Sequence, residues 1–197
     1  MKPGLRFYPW ASGGLILANL AFFLATTLEG GADNAETLEK LGALSTGLWT
    51  RGEWWRALSA NFLHFGWPHL GINLLALGII GTLAERYYGF WKFCFLYFGA
   101  GVGTMVGMGT WFWLTGQHQH LLVGASAAII GALGGLIWIY FRQWQAYPSA
   151  YYRNRLWGLG VIIAFQFLLD SQMPQVSLES HALGLALGLL LGAALRS

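Results

Sequence analysis

Ser126 lies inside a run of small and apolar residues, VGASAAIIGALGGL at 123–136, where a hydroxyl group needs a chemical or structural reason. His69, Asn73 and His181 lie in two other apolar stretches, and the first two are four residues apart, on one helical face. A hydroxyl, imidazoles and an amide are the parts of a serine hydrolase: a nucleophile, a general base and donors for an oxyanion. The residue types therefore predict acyl transfer, provided that the fold brings these side chains together.

The composition predicts an all-α polytopic membrane protein with one domain, residues 1–197. Hydrophobic residues make up 56% of the chain and charged residues 10%, far below the quarter that is typical of soluble domains. A bilayer core requires about 20 apolar residues per helix. Six windows approach this length, and they predict a six-helix bundle: 11–28, 62–84, 93–114, 121–141, 156–170 and 179–195.

The charges divide the segments between these windows into two sets. The set that includes the N-terminus holds eight basic residues and one acidic residue, whereas the other set holds three basic and seven acidic residues. Because basic segments stay inside, both termini are predicted to be cytoplasmic. This distribution also explains the net charge of +3 without nucleic-acid binding.

In this topology the second, fourth and sixth helices all begin at the outer face. Counted from the window starts, Ser126, His69 and His181 lie about five, seven and two residues into their helices, and so at similar depth. The sequence predicts that these three side chains meet near the outer surface. Alternatively, these polar residues have only a structural role, because a serine within a membrane helix often bonds to a carbonyl of its own helix, and histidine or asparagine can join helices.

No acidic residue is a clear partner for His181. Glu85 and Asp170 are predicted near helix ends, and Glu179 lies on the outer rim. We therefore expect a Ser126–His181 dyad without a buried carboxylate. A serine nucleophile and a histidine base require no cofactor, and none is predicted.

Glycines at four-residue spacing predict close helix packing. The sets are Gly99, Gly103 and Gly107; Ala127, Gly131 and Gly135; and Gly184, Gly188 and Gly192. His181 precedes the last set by three residues, which places its ring on the face that packs closest to a neighbour. His118 and His120 lie in a predicted loop with too few further ligands for a metal site, so we interpret them as solvated.

Taken together, these motifs resemble the rhomboid family of intramembrane serine proteases over residues 50 to 195. The matching elements are Trp55-Arg56, His64, His69 and Asn73 at spacings of five and four, Glu85-Arg86, Gly124-x-Ser126, and His181-x-x-Gly184-x-x-x-Gly188. The resemblance implies that Ser126 is the nucleophile, His181 the base, and His69 and Asn73 part of the oxyanion hole. His64 and Gly124 have supporting roles.

Two positions depart from the family pattern. Ala127 replaces a frequent glycine, and Ile130 replaces a tyrosine that commonly stacks on the catalytic histidine, so the support of His181 must come from elsewhere. The short six-helix form is similar to the rhombosortase subgroup, whose substrates bear a C-terminal Gly-Gly, a transmembrane helix and a basic tail.

The resemblance implies an endopeptidase in a bacterial inner membrane that cuts single-pass transmembrane proteins near the outer face. Two other functions stay open. An inactive relative could bind transmembrane segments without cutting them, and a solute transporter could use the polar cluster, although transporter sites lie nearer the midplane.

Overall fold

The computed structural model describes residues 7–117, 121–171 and 177–195. Long helices occupy all six predicted windows: α1 (Trp10–Glu29), α5 (Gly66–Ala76) continued by α6 (Thr82–Tyr88), α7 (Phe90–Thr115), α8 (Ser126–Ala146), α9 (Ala150–Asp170) and α10 (Leu178–Ala194). A wider π-helical turn, Leu77–Gly81, joins α5 to α6. The all-α membrane bundle expected from the sequence is confirmed.

Within the described ranges, four of these helical segments are long and apolar enough to cross a bilayer: α1, α5 to α6, α7 and α8. Helix α10 is apolar but has 17 residues. Helix α9 has 21 residues but carries Arg153, Asn154 and Arg155 near its start. These two helices correspond to the last two predicted windows, 156–170 and 179–195.

The window 121–141 was wrong at its beginning. Leu121 and Leu122 form a short strand, β2, that pairs antiparallel with β1 (Leu44–Ser45), and α8 begins at Ser126. Gly124 has a φ of +122°, which a helix does not accommodate. Ser126 is therefore the first residue of its helix rather than about five residues into it.

Helix α8 is the centre of the bundle, and α7 and α10 pack on it through small residues. A β-carbon on Gly184 would lie 2.6 Å from the carbonyl oxygen of Ala127, and one on Gly188 would overlap the carbonyl oxygen of Gly131. On the other side of α10, leucine side chains fill the glycine face of α7, as with Leu187 against Gly103. The predicted close packing of these faces is confirmed.

A layer of short helices covers the end of the bundle at which α8 begins. It consists of α2 (Ala35–Leu41), α3 (Thr46–Thr50), α4 (Arg56–Ser59) and a 3-10 turn, Ala60–Phe62. The buried Arg56 guanidinium joins the layer, donating from Nη1 to the carbonyl of Ala43 at 3.0 Å and from Nε to Glu53 at 2.8 Å. The backbone of this layer, through the Ala60 carbonyl, helps to hold the segment that precedes Ser126.

Glu85 has a structural role near the opposite end of the second span. Its buried carboxylate accepts hydrogen bonds from the backbone N–H groups of Ala11 and Ser12, at 2.9 and 2.8 Å, and from the Ser12 hydroxyl at 2.8 Å. It thereby supplies acceptors to the first turn of α1, whose N–H groups have no partners within that helix.

Candidate active site

Three contacts hold Ser126 at the start of α8. The preceding segment is fixed by the β1–β2 pairing, by a hydrogen bond of 2.8 Å from the Gly124 N–H to the Ala60 carbonyl, and by one of 3.5 Å from the Ala125 N–H to Nε2 of His64. The first residues of a helix have N–H groups without intrahelical partners. Ser126 thus lies beside free backbone donors and the positive end of the α8 dipole.

His181 contacts Ser126 directly. Oγ of Ser126 and Nε2 of His181 lie 2.7 Å apart, and the histidine is only 3% exposed. Gly184, one turn further along α10, allows this approach because its Cα packs on the backbone of Ala127. The sequence predicted that these two residues meet, and in the structure they form a hydrogen-bonded pair.

Asp170 is the residue that the sequence interpretation missed. Its Oδ2 lies 2.6 Å from Nδ1 of His181, and the aspartate is 4% exposed. The expectation of a pair without a buried carboxylate was therefore wrong. Asp170 is the last residue of α9, and the fold brings this end of α9 beside the first turn of α10.

One signal in the sequence pointed to Asp170. An acidic residue that ends the apolar run AFQFLLD is costly in a membrane unless it has a partner. Its other oxygen, Oδ1, accepts a hydrogen bond of 2.8 Å from the Gln166 amide, one turn back on α9. Both carboxylate oxygens are thus engaged, and the support for His181 that Ile130 cannot supply comes from this aspartate.

His69 packs against the segment that precedes Ser126. Its Nδ1 accepts the N–H of Phe65 at 3.3 Å, so the neutral ring carries its proton on Nε2. A β-carbon on Gly124 would lie 2.8 Å from this Nε2 and 3.7 Å from Oγ of Ser126. Both the His69 ring and the Ser126 hydroxyl therefore lie near Gly124.

Asn73 is buried one turn after His69, and its Nδ2 donates to the His69 carbonyl at 2.9 Å. An amide nitrogen has two hydrogens, so this bond leaves one further donor. Asn73 thus lies on the same helical face as His69, as their spacing of four residues predicted.

His64 supports the loop before Ser126 and makes no contact with the Ser126 hydroxyl among the hydrogen bonds described. Its ring is fully buried, with Nδ1 3.3 Å from the Phe62 carbonyl and Nε2 accepting from Ala125. The His64 and His69 rings meet edge to face at 5.1 Å. Burial, and secondarily the neighbouring His69, lowers the pKa of His64 to about 3, so His64 is neutral and can accept the Ala125 N–H.

In the part of the chain that the structure describes, no three His, Cys, Asp or Glu residues are grouped as metal ligands. His118 and His120 lie outside the described residues, so their interpretation as solvated loop residues stays a prediction.

The fold and the site define a class: a helical membrane protein with a partly buried serine beside a buried histidine and aspartate at one end of its bundle. Residues 51–197 match the family model described as Rhomboid domain. The chain belongs to the rhomboid family.

Several curated relatives are similar to this chain. Rhomboid protease GluP of Bacillus subtilis is 38% identical over 64% of this chain and 23% of its own length. RHOMBOID-like protein 5 of Arabidopsis thaliana is 34% identical over 79% of this chain and 48% of its own length, and Rhomboid-type serine protease 2 of Emericella nidulans is 29% identical over 71% and 26%. The chain spans about half or less of the length of these relatives.

Proposed function

We propose that the protein is an intramembrane serine endopeptidase that cleaves transmembrane proteins. The observation that carries this proposal is the 2.7 Å contact between Oγ of Ser126 and Nε2 of His181 within a helical membrane bundle. Family membership and the names of relatives described as proteases support it. A protein that only binds transmembrane helices would not need a nucleophile and base in hydrogen-bonding contact.

In the first half of the reaction, His181 takes the hydroxyl proton of Ser126 on Nε2 while Oγ bonds to the carbonyl carbon of the scissile peptide. The carbonyl electron pair moves onto oxygen. The tetrahedral intermediate then breaks its C–N bond, and the His181 proton passes to the leaving nitrogen. The acyl part of the substrate, on the N-terminal side of the cut bond, is now an ester of Ser126.

In the second half, a water molecule attacks this ester and gives a proton to His181. The C–Oγ bond breaks, the proton returns to Oγ, and the carboxylic acid product leaves. Both tetrahedral intermediates carry an oxyanion, which needs donors that are already in place. We propose that Nε2–H of His69, the second N–H of the Asn73 amide and the backbone N–H groups at the start of α8 supply these donors.

The proposal extends to the location and the substrate. With both termini cytoplasmic, the Ser126 end of the bundle is at the outer face of a bacterial inner membrane. A transmembrane substrate reaches Ser126 as a helix, and we propose that it is cut near this face at small residues, because glycine costs about 1 kcal/mol relative to alanine in a helix. The rhombosortase assignment, with a substrate bearing a C-terminal Gly-Gly and a basic tail, is part of this proposal.

The test is labelling of the purified protein in detergent micelles with a fluorescent fluorophosphonate, followed by mass spectrometry of the labelled peptide. We expect label on Ser126, and we expect Ser126→Ala to lose both labelling and cleavage of a fluorogenic transmembrane peptide while unfolding at the same temperature. Ser180→Ala is the matched control, because the Ser180 hydroxyl lies beside His181 in sequence but donates to the Ser177 carbonyl. Cleavage by Ser126→Ala at the unmodified rate would refute the proposal.

A further inference from the structure

We propose that Asp170 is a positioning residue that fixes the orientation and tautomer of His181, so that the site works as a three-residue unit. This inference rests on the proposed function, because it assigns a role to Asp170 in the same reaction.

The direction of the hydrogen bonds follows from the donors present. The Ser126 hydroxyl can donate to His181 only if Nε2 carries no proton. In the neutral ring the proton is then on Nδ1, and Nδ1 lies 2.6 Å from Oδ2 of Asp170. The contacts from Ser126 through His181 to Asp170 therefore form one chain in which each donor faces an acceptor.

The surroundings hold the carboxylate in this position. Asp170 is buried, and Gln166 donates to Oδ1 from one turn back on the same helix. A carboxylate with one oxygen on Gln166 and the other on His181 cannot rotate without losing both bonds. Because Asp170 and His181 come from different helices, α9 and α10, the contact also depends on how these helices pack.

The role in the reaction follows from charge. His181 becomes positively charged when it takes the Ser126 proton, and the buried carboxylate at 2.6 Å stabilises that charge. If Asp170 is replaced by asparagine, the amide can donate to Nδ1 and thereby favour the tautomer with the proton on Nε2. That tautomer cannot accept the Ser126 proton.

The first experiment measures fluorophosphonate labelling at several reagent concentrations, which separates the maximal rate from the reagent affinity. Asp170→Asn should lower the maximal rate by up to about 10⁴, the loss that the equivalent change causes in a soluble serine protease, with the affinity changed less than about threefold. Gln166→Leu is the control, because it removes a bond to the same carboxylate but leaves the contact with His181; we expect a loss below about tenfold. Labelling of Asp170→Asn at the unmodified rate would overturn the inference.

The second experiment reads the protonation state in the unmodified protein, and a variant serves only to assign the signal. Nitrogen NMR of the unmodified protein, with ¹⁵N-labelled histidine and the His181 signal assigned from His181→Gln, reports which ring nitrogen carries the proton. We expect the proton on Nδ1; a His181 protonated only on Nε2 would overturn the inference. If the unmodified protein does not label at all, the proposed function fails as well. If it labels but Asp170→Asn labels equally fast, only the role of Asp170 fails.

Discussion

The ring of His69 lies directly against the Cα of Gly124, so that a β-carbon at Gly124 would come within 2.8 Å of Nε2 and 2.9 Å of Cε1. This contact connects the second span to the segment that ends at Ser126. It requires a residue without a side chain, and the φ of +122° at Gly124 requires the same.

Gly124→Ala should therefore displace the His69 ring and strain the backbone before Ser126. We expect turnover of a fluorogenic transmembrane peptide to fall by about 10²-fold, because small displacements of catalytic groups have effects of that size. The strain should also cost about 1–3 kcal/mol in the free energy of unfolding. Gly71→Ala is the control, since a β-carbon there has no neighbour within 4 Å. Equal activity of the two variants would contradict this prediction.

His69→Ala and Asn73→Ala should each slow turnover by about 10²- to 10³-fold, as the loss of one oxyanion donor does in other hydrolases. Substrate affinity should change little, because these donors act on the charge that develops in the transition state. Comparing kcat with KM for each variant checks this expectation. Full turnover by both variants would mean that backbone N–H groups alone stabilise the oxyanion.

Gly188→Ala should destabilise the bundle by about 1–3 kcal/mol, because the new methyl group would overlap the Gly131 carbonyl and neither helix backbone can give way. Gly160→Ala on α9 is the matched control. Its β-carbon would have no neighbour within 4 Å, and the exchange should leave stability unchanged or raise it by up to about 1 kcal/mol. Thermal unfolding in the same detergent measures both, and similar unfolding temperatures would argue against the close α8–α10 packing.

His64 should make stability depend on pH. Its pKa is lowered to about 3 in the folded protein by burial, against about 6.5 in an unfolded chain. Because the folded pKa is the lower one, the stabilisation by neutral His64 is complete above about pH 6.5 and is lost as the pH falls toward 3. The stability advantage of the unmodified protein over His64→Gln should thus be smaller at about pH 5 than at about pH 7.5. A constant difference would show that His64 does not titrate in this way.

Thiol labelling in intact cells can determine the orientation of the protein in the membrane. In a Cys94→Ala background, Ala35→Cys on the layer above the site should react with a membrane-impermeant maleimide added outside, whereas Ala150→Cys at the start of α9 should not. Both alanines are exposed, so accessibility from the aqueous side decides the result. The reverse pattern would place the Ser126 end of the bundle on the cytoplasmic side.

The helices and the packing faces of this protein were predictable from the sequence because their causes are local. A bilayer requires a certain length of apolar chain, so the windows found the helices to within a few residues at most ends. Glycines four residues apart share a helical face, so close packing of the face that carries Gly184 and Gly188 could be expected before α8 was known to be its partner. Ser126, His181, His69 and Asn73 were found for a related reason, since polar groups in apolar helices are costly and few.

Only the tertiary structure decided where α8 begins and which carboxylate faces His181. Leu121 and Leu122 are as apolar as a helix requires, and they form a strand because Leu44 and Ser45 lie beside them. Asp170 and His181 are separated by eleven residues along the chain, and the length of that connection does not specify their distance in space. A hydrogen bond is formed or lost over less than an ångström. Which side chains pair at the site therefore depends on the final packing of α8, α9 and α10, which no local pattern in the chain encodes.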